Sequence, residues 1–257
     1  MKKTFILFCL LVICLMVDAQ NPCPQVIPAL QQWKGAKGIL SLPTQGNIII
    51  NPSDEKVLSS TALILKDDLR ELLGWEYDIS IGKVKKNDIY LSLSKPDEQL
   101  GKEGYTLSIM NKVSIEAPTT QGVFWGTRTL LQMLHRQKAK LTKGTIRDWP
   151  EFSNRGFMLD VGRKFFNLDY LKQQIKVLSF YKMNEFQIHL NDNGFPQFFD
   201  NDWNKTYAAF RLESERFPGL TAKDGSYTKK EFTELQRMGM EYGVNIIPEI
   251  DIPAHSL

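Results

Sequence analysis

The sequence predicts an α/β protein in two parts, a small α+β domain and a segment in which strands and helices alternate. In the second part, apolar runs typical of strands occupy residues 155–163, 183–192 and 244–251. Residues 168–181 and 228–242 lie between these runs and have helical character. A strand–helix–strand–helix–strand order builds a parallel sheet or barrel, and in a barrel the active site lies at the carboxyl ends of the strands.

The first part is expected to pack helices on one face of a mostly antiparallel sheet. Apolar side chains recur at helical spacing across residues 54–73, and Gly74 follows where a helix commonly ends in a left-handed residue. A second helix is expected to begin at Thr119 or Thr120 and to end at Leu134. Strands are predicted at residues 47–50, 88–94, 105–109 and 112–117, the last two forming a hairpin.

Length and composition favour a globular protein of two domains. The chain has 257 residues, of which 42% are hydrophobic and 24% are charged, so it can bury a sizeable core. A formal net charge of +3, spread along the chain, makes no concentrated basic face, so we expect no nucleic-acid partner. The Trp149-Pro150 step is the expected boundary, which gives domains at residues 20–150 and 151–257.

The N-terminus is expected to be a signal peptide, residues 1–19. Two lysines precede an apolar run at residues 5–17, and Ala19 offers a small residue at the cleavage position. The run is too short for a stable membrane span, so we expect export to the periplasm or the extracellular space. A buried N-terminal helix is the alternative. After cleavage, Cys23 is the only cysteine left in the sequence, so no intrachain disulfide is expected.

Polar side chains follow the first two strands of the second part. Arg163 suits hydroxyl or carboxylate ligands, and its alternative role is an ion pair with Asp160. His189 and Asp192 end the second strand, where burial is unfavourable unless they are paired. Strand alternation puts His189 on one face with Asn191, and Asp192 on the other. Their alternative roles are a hydrogen-bonded core histidine and a loop-capping aspartate.

The third strand of the second part is followed by Glu249, Asp251 and His255. Two carboxylates and an imidazole this close together fit acid–base machinery, a metal site or an internal ion-pair network. A metal site needs three or four convergent ligands, which these residues and the end of the second strand can supply. No HExxH motif or tight histidine pair fixes such a geometry, so no metal is expected.

Three ordered motifs closely resemble the opening strands of the family 20 glycoside hydrolases, the β-N-acetylhexosaminidases. They are RGFMLDVGRKFF at residues 155–166, YKMNEFQIHLND at 181–192 and IIPEIDIPAHS at 246–256. The stretches EGYTLSI, VSIEAPTTQGVFWGTRTLLQML and TIRDWPEF resemble that family's small N-terminal α+β domain and its junction with the barrel. The resemblance therefore extends over nearly all of the chain after the predicted signal peptide.

The resemblance implies that residues 151–257 are the first strands and helices of a (β/α)₈ TIM barrel. It assigns Arg163 to the hydroxyls of a terminal N-acetylhexosamine, and Asp192 and His255 to a hydrogen-bonded chain toward the catalytic acid. The implied ligands are glycans that end in N-acetylglucosamine or N-acetylgalactosamine, and no metal or organic cofactor is implied. Asn193 and Ala254 depart from the family's usual acidic residue and glycine, but neither belongs to the proposed set.

The family's catalytic pair is an adjacent Asp-Glu at the end of the fourth barrel strand, which we expect C-terminal to this chain. Two Asp-Glu pairs in the chain, at residues 54–55 and 97–98, both lie in the small domain. The chain is therefore expected to be a truncated, inactive fragment of an exo-acting enzyme with a substrate-assisted retaining mechanism. The alternatives are a non-catalytic carbohydrate-binding or interaction protein from a truncated gene, and a related sugar-processing barrel.

Overall fold

The computed structural model describes residues 20–202 and 208–256. The chain divides into two compact units, one that ends at Trp149 and one that begins at Pro150. The predicted signal peptide, residues 1–19, lies outside the described residues. Within the described ranges, no helix combines the length and the apolar composition that crossing a membrane requires.

The first unit is a mixed sheet with two long helices, α1 at Glu55–Leu73 and α2 at Thr120–Gln137. The two helices contact each other and the sheet, so they lie on one face of it, as the sequence predicts. The strands are β1 Gln32–Ser41, β2 Gln45–Ile50, β3 Glu76–Ile81, β4 Ile89–Leu93, β5 Tyr105–Ile109, β6 Val113–Ala117 and β7 Lys140–Asp148. In the described residues they form one seven-stranded sheet in the order β1-β7-β5-β6-β4-β2-β3.

The expectation of a mostly antiparallel sheet is wrong. Strands β3, β2, β4 and β6 pair in parallel, while β5, β7 and β1 complete the sheet in antiparallel pairs. The predicted β5–β6 hairpin is confirmed. Alternation along a strand records which side chains are buried, but it does not record the direction of the neighbouring strand, so the sequence does not distinguish the two pairings.

Three strands of this sheet have no clear signal in the sequence. In β7 the buried positions include Gly144 and Asp148, so the apolar alternation is interrupted. Strands β1 and β3 lie at the two edges of the sheet, and their only buried residues are Leu40 and Tyr77 respectively. Edge strands with so little buried surface lack the periodicity by which strands are recognised.

The helix ends follow from local chemistry. Gly74 adopts a left-handed conformation with φ of 68° directly after α1, and its N–H donates to the Arg70 carbonyl oxygen, as predicted for a helix C-terminus. Thr119 caps α2, because its side-chain oxygen accepts a hydrogen bond from the Gly122 N–H at 3.0 Å. The helix continues to Gln137, one turn beyond the predicted end at Leu134.

The second unit contains the predicted alternation of strands and helices. The elements are β8 Gly156–Asp160, α3 Leu168–Phe180, β9 Glu185–His189, α4 Lys229–Glu241 and β12 Asn245–Glu249. Strands β8 and β12 both pair with β9 in parallel, and the described residues form an open three-stranded sheet in the order β12-β9-β8. This is the arrangement of consecutive βα units in a (β/α)₈ barrel, here without closure.

A short hairpin that the sequence does not reveal lies between β9 and α4. Strand β10 at Asn191–Asn193 pairs antiparallel with β11 at Ala208–Phe210. The first of these strands begins two residues after β9 ends at His189, so the chain leaves the parallel sheet and immediately enters a second one. This change of direction decides where the side chains of residues 191–193 point.

Candidate active site

Each of the three parallel strands ends in a polar residue, and these three residues are neighbours across the sheet. In the register of the sheet, Asp160 of β8 is opposite His189 of β9, and His189 is opposite Glu249 of β12. Parallel strands bring their carboxyl ends to one edge, which is where functional groups gather in barrels. The segments after these strands add Arg163, Asp192 and His255, the three residues that the resemblance assigns to the site.

Asp192 is the centre of this group and is 2% exposed. Its Oδ2 atom lies 2.9 Å from Arg163 Nη2 and 2.9 Å from His189 Nε2. Its Oδ1 atom lies 2.8 Å from His255 Nδ1 and accepts the N–H of Asn193 at 2.7 Å. One buried carboxylate therefore contacts both Arg163 and His255, which lie in two different loops.

The partners of Asp192 keep it ionised. Burial by itself would raise the pKa of this carboxyl group, since a charge is less stable away from water. Hydrogen bonds from His255, His189 and the Asn193 N–H, together with the positive charge of Arg163, outweigh burial and hold the pKa of Asp192 below its ordinary value. At neutral pH the carboxylate is thus an acceptor that can orient an imidazole.

Arg163 forms the ion pair with Asp160 that the sequence offers as its alternative role, and it forms a second ion pair with Asp192. Its Nη1 donates to Asp160 Oδ2 at 2.8 Å and its backbone N–H donates to Asp160 Oδ1 at 2.9 Å, while Nη2 reaches Asp192. The Phe195 ring lies against the guanidinium, 4.8 Å from Cζ to the ring centroid. Nη2 also lies 3.5 Å from His255 Nδ1. The side chain remains 32% exposed, so among the described residues the guanidinium has donors left for a ligand.

His255 is held with one nitrogen toward Asp192. Its Nδ1 faces the ionised carboxylate and therefore carries the hydrogen, which leaves Nε2 as the acceptor in the neutral ring. The side chain is 42% exposed. The backbone of His255 has φ of 60°, in the left-handed region that residues other than glycine rarely adopt. An imidazole in this state can accept a hydrogen bond from, or exchange a proton with, an acid placed at Nε2.

The expectation that His189 and Asp192 lie on opposite faces is wrong. Strict alternation ends with β9 at His189, and the chain turns through Leu190 into the β10 hairpin, so His189 Nε2 meets Asp192 Oδ2 at 2.9 Å. On the other side of the ring, Nδ1 lies 3.4 Å from Glu249 Oε2, which also accepts the Gln187 amide at 2.6 Å. His189 is buried between two carboxylates, which agrees with the alternative reading of a hydrogen-bonded core histidine.

Two sets of side chains in the described residues have the types and spacing of metal ligands. One consists of His189, Asp192 and His255, and the other of His189, Glu249 and Asp251, with the ligand atoms of each set within 4.8 Å of one another. In the first set, the Arg163 guanidinium is only 2.9 Å from Asp192, where a positive charge opposes a second cation. The chemistry of that set fits an arginine-paired carboxylate better than a metal ligand.

Sequence reasoning missed Arg211, which holds the turn that carries Arg163. Its side chain is fully buried, and it donates to the carbonyl oxygens of Val161 at 2.8 Å and Gly162 at 2.9 Å. It also forms an ion pair with Asp224. The acceptors are backbone atoms of a distant strand end, and no pattern in the sequence marks backbone acceptors.

Gly162 belongs to the same turn and touches the loop of Asp192. A Cβ atom at this position would lie 2.7 Å from the Asp192 nitrogen and 2.8 Å from the carbonyl carbon of Asn191. Those atoms are backbone and cannot move aside easily. The absence of a side chain at residue 162 therefore lets the loops of Arg163 and Asp192 approach each other.

A cavity of about 320 Å³ opens beside His255. Its polar lining comes from residues near the strand ends, and its apolar lining comes from the β11 region and the loop after β12. The lining residues are Asn191, Ala209, Phe210, Leu220, Ile250, Ile252, His255 and Ser256. The Asp192 network thus borders an accessible space on the side of His255.

Both units match known protein families. Residues 23–149 match Glycosyl hydrolase family 20, domain 2, and residues 152–257 match Glycosyl hydrolase family 20, catalytic domain. The chain is 29% identical to a Porphyromonas gingivalis beta-hexosaminidase over 90% of its length, and 33% identical to one from Vibrio furnissii over 77%. It spans about a third of the length of these relatives, 30% and 33% respectively.

Solved structures show the same fold. A mutant Streptomyces plicatus beta-hexosaminidase in complex with its product GlcNAc superposes with a TM-score of 0.77 at 26% identity, over 93% of this chain and 48% of that one. A Flavobacterium johnsoniae chitobiase superposes with a TM-score of 0.70 at 27% identity, over 90% of this chain and 35% of that one. The small α+β unit and the barrel strands therefore have folds that are present in these solved structures.

Proposed function

Because the chain belongs to glycosyl hydrolase family 20, we propose that it forms one wall of the active site of an exo-acting β-N-acetylhexosaminidase. The observation that supports this most is the sharing of one buried carboxylate, Asp192, between Arg163 and His255 at the carboxyl end of the parallel sheet. The Arg163 guanidinium has donors left for sugar hydroxyls. The oriented imidazole of His255 lines an open cavity, where it suits the leaving-group side of the reaction.

In this proposal, Arg163 binds hydroxyl groups of the terminal sugar. Asp160 and Asp192 hold the guanidinium from two sides, so its geometry is fixed before the ligand arrives. Asp192 orients the His255 ring, and Nε2 of that ring then holds and tunes a carboxylic acid. Asp192 and His255 act through the acid and are relay residues, while Arg163 contacts the substrate directly.

The proposed reaction is substrate-assisted and retains the configuration at the anomeric carbon. The oxygen of the 2-acetamido group attacks the anomeric carbon as the acid protonates the departing oxygen. The product of this step is an oxazolinium ion, whose positive charge needs a nearby carboxylate. Water then opens the ring of that intermediate from the opposite face, and the acid, now a base, takes the water's proton.

The acid and the carboxylate that supports the acetamido group are proposed to be an adjacent Asp-Glu pair C-terminal to His255. The proposed substrates are glycans that end in β-linked N-acetylglucosamine, and N-acetylgalactosamine is proposed as a second terminal sugar. Reaction in the periplasm or outside the cell is proposed from the basic and apolar sequence at residues 1–19.

The test is hydrolysis by the full-length protein of aryl 2-acetamido-2-deoxy-β-glucoside and the matching galactoside. The expected result is release of the aryl group with the β-anomer as the first product, observed by proton NMR before the anomers equilibrate. The aryl β-glucoside, which has a hydroxyl in place of the acetamido group, serves as the matched control and should react far more slowly. Equal turnover of the control, or an α-anomer as first product, would overturn the mechanism.

A further inference from the structure

Asn191 links the two loops that bring Asp192 and His255 together. Its Nδ2 donates to the carbonyl oxygen of Asp251 at 2.9 Å and to that of His255 at 2.9 Å. Its Oδ1 accepts the N–H of Asp251 at 2.9 Å. The residue is 2% exposed, so all of these bonds form away from water. The side chain therefore uses both amide hydrogens and its oxygen to bind the loop that follows β12.

The loop that Asn191 binds has an unfavourable backbone conformation at its functional residue. His255 has φ of 60°, which crowds Cβ against the following carbonyl group in any residue but glycine. Such conformations persist where surrounding contacts fix them. The hydrogen bond from Asn191 to the His255 carbonyl is one such contact, and the bond from His255 Nδ1 to Asp192 is another.

The pattern of acceptors and donors fits an asparagine closely. Two carbonyl oxygens and one N–H face the side chain, and an amide has two hydrogens for the former and an oxygen for the latter. An aspartate of the same shape would present an oxygen to both carbonyl groups and would repel them. An aliphatic side chain would leave all three backbone groups without their partner.

We infer that Asn191 is a positioning residue that aims the His255 imidazole at the catalytic acid. Because its backbone neighbour is Asp192 and its side chain holds His255, it fixes the distance between the two relay residues from both sides. The inference rests on the function proposed above and adds a residue to its relay. It assigns Asn191 no contact with substrate.

The test compares Asn191→Asp with the unchanged full-length protein on substrates with leaving groups of different acidity. A poor leaving group such as an alkyl alcohol requires protonation, whereas 2,4-dinitrophenolate departs with little help from the acid. The rate constant to compare is kcat/KM, because it reports only the steps up to departure of the leaving group. If Asn191 positions the relay, kcat/KM for the alkyl N-acetylglucosaminide should fall by about a hundredfold, and kcat/KM for the dinitrophenyl compound by less than about threefold. KM should change little for both substrates.

Leu235→Ala is the control for a purely structural effect. Leu235 is fully buried in α4 and belongs to none of the contacts described for the site, so its truncation lowers stability without altering the relay. Asn191→Asp and Leu235→Ala are compared at temperatures equally far below their midpoints of thermal unfolding. Leu235→Ala should lower both rates by the same factor, if at all.

The outcomes separate this inference from the proposed function. Loss confined to the poor leaving group supports a positioning role for Asn191. An equal loss on both substrates in Asn191→Asp, or no loss on either, would overturn that role while leaving the proposed function intact. Failure of the unchanged protein to hydrolyse either N-acetylglucosaminide would overturn the proposed function itself, and the inference with it.

Discussion

Each unit of the protein contains a buried aspartate paired with an arginine, and the two pairs differ in what surrounds the arginine. In the first unit, Arg128 pairs with Asp68, and the two side chains are 2% and 7% exposed. In the second unit, the Asp192 side chain is 1% exposed, but that of its partner Arg163 is 32% exposed. Both guanidiniums lie against a phenylalanine ring, at 4.4 Å for Arg128 and 4.8 Å for Arg163.

The difference shows that the same kind of arginine–aspartate ion pair can have either a structural or a ligand-binding role. Arg128 also donates to Thr127 Oγ1 through Nε and Nη2, so its hydrogen bonds are made inside the unit. Arg163 keeps about a third of its side chain exposed, and Asp192 shares its oxygens with His189 and His255. A closed pair fixes packing, whereas an open pair is oriented by the protein and remains able to bind a ligand.

The largest effect is expected from Arg163→Met, which removes the proposed ligand of the sugar hydroxyls. In the full-length protein, kcat/KM for an aryl N-acetylglucosaminide should fall about a thousandfold, roughly 4 kcal/mol. The midpoint of thermal unfolding should fall only modestly, because the buried Asp192 carboxylate keeps its hydrogen bonds to His189, His255 and the Asn193 N–H. Arg163→Lys keeps the charge without the planar fork, so its kcat/KM should lie between those of the parent and Arg163→Met. A loss below about tenfold for Arg163→Met would contradict the binding role.

Arg128→Met should show the opposite behaviour. It leaves the Asp68 carboxylate buried without its charged partner, so the free energy of unfolding should decrease by about 3–5 kcal/mol. Where the variant is folded, kcat/KM should stay within about twofold of the parent. Arg70→Met is the control in the same unit, since the Arg70–Asp67 pair is exposed and contributes less than about 1 kcal/mol. Chemical denaturation measures all three proteins, and equal losses in the two variants would disprove the distinction.

Gly162→Ala tests whether close approach of the two loops matters. The new methyl group would press on the backbone of Asn191 and Asp192, so the carboxylate should shift and kcat/KM should fall by about a hundredfold. Gly156→Ala is the matched control, because a Cβ there meets only atoms at 3.5 Å or beyond. The control should retain activity within about twofold. Similar activity in both variants would show that the approach at Gly162 is unimportant.

The smallest effect is expected in the pH dependence of stability. The pKa of Asp192 is lower in the folded protein than in the unfolded chain, so ionised Asp192 stabilises the fold above about pH 4. That stabilisation is lost as the pH falls through the folded-state pKa. Asp192→Asn should therefore be less stable than the parent at pH 7, and the difference should shrink below about pH 4. A difference that stays constant down to pH 2 in urea denaturation would show that Asp192 does not titrate in this way.

Much of the fold follows from local pattern. Helix α1 with its glycine end, α2 with its threonine cap, the β5–β6 hairpin and the three strands of the second unit are visible as periodicity and capping chemistry. The outer strands β1 and β3 are not, because almost none of their side chains are buried. The mixed direction of the sheet is also hidden, since the alternation of side chains along a strand does not record the direction of its neighbours.

The residues of the candidate site also divide into those that the sequence indicates and those that only the structure reveals. Charged side chains after apolar strands mark a wider group of candidates, and the resemblance to family 20 selects Arg163, Asp192 and His255 from that group. The structure then brings them together around one carboxylate. Asn191 and Arg211 cannot be picked out, because the contacts by which they support the site are with backbone atoms of segments distant in the sequence. Residue types mark the chemistry of a site, but the backbone atoms that support it carry no mark in the sequence.

The sequence alone therefore determined the order of strands and helices in the second unit and the polar residues that follow the strands, since burial period and charge are local properties. The resemblance to family 20 then selected three of those polar residues. Only the tertiary structure decided that Asp192 faces His189 rather than the opposite side, because a hairpin at Asn191 ends the alternation. The tertiary structure alone also decided that the Arg163 side chain is partly exposed while the Arg128 side chain is buried. Exposure of a guanidinium depends on which distant segments pack around it, and that is settled when the chain folds.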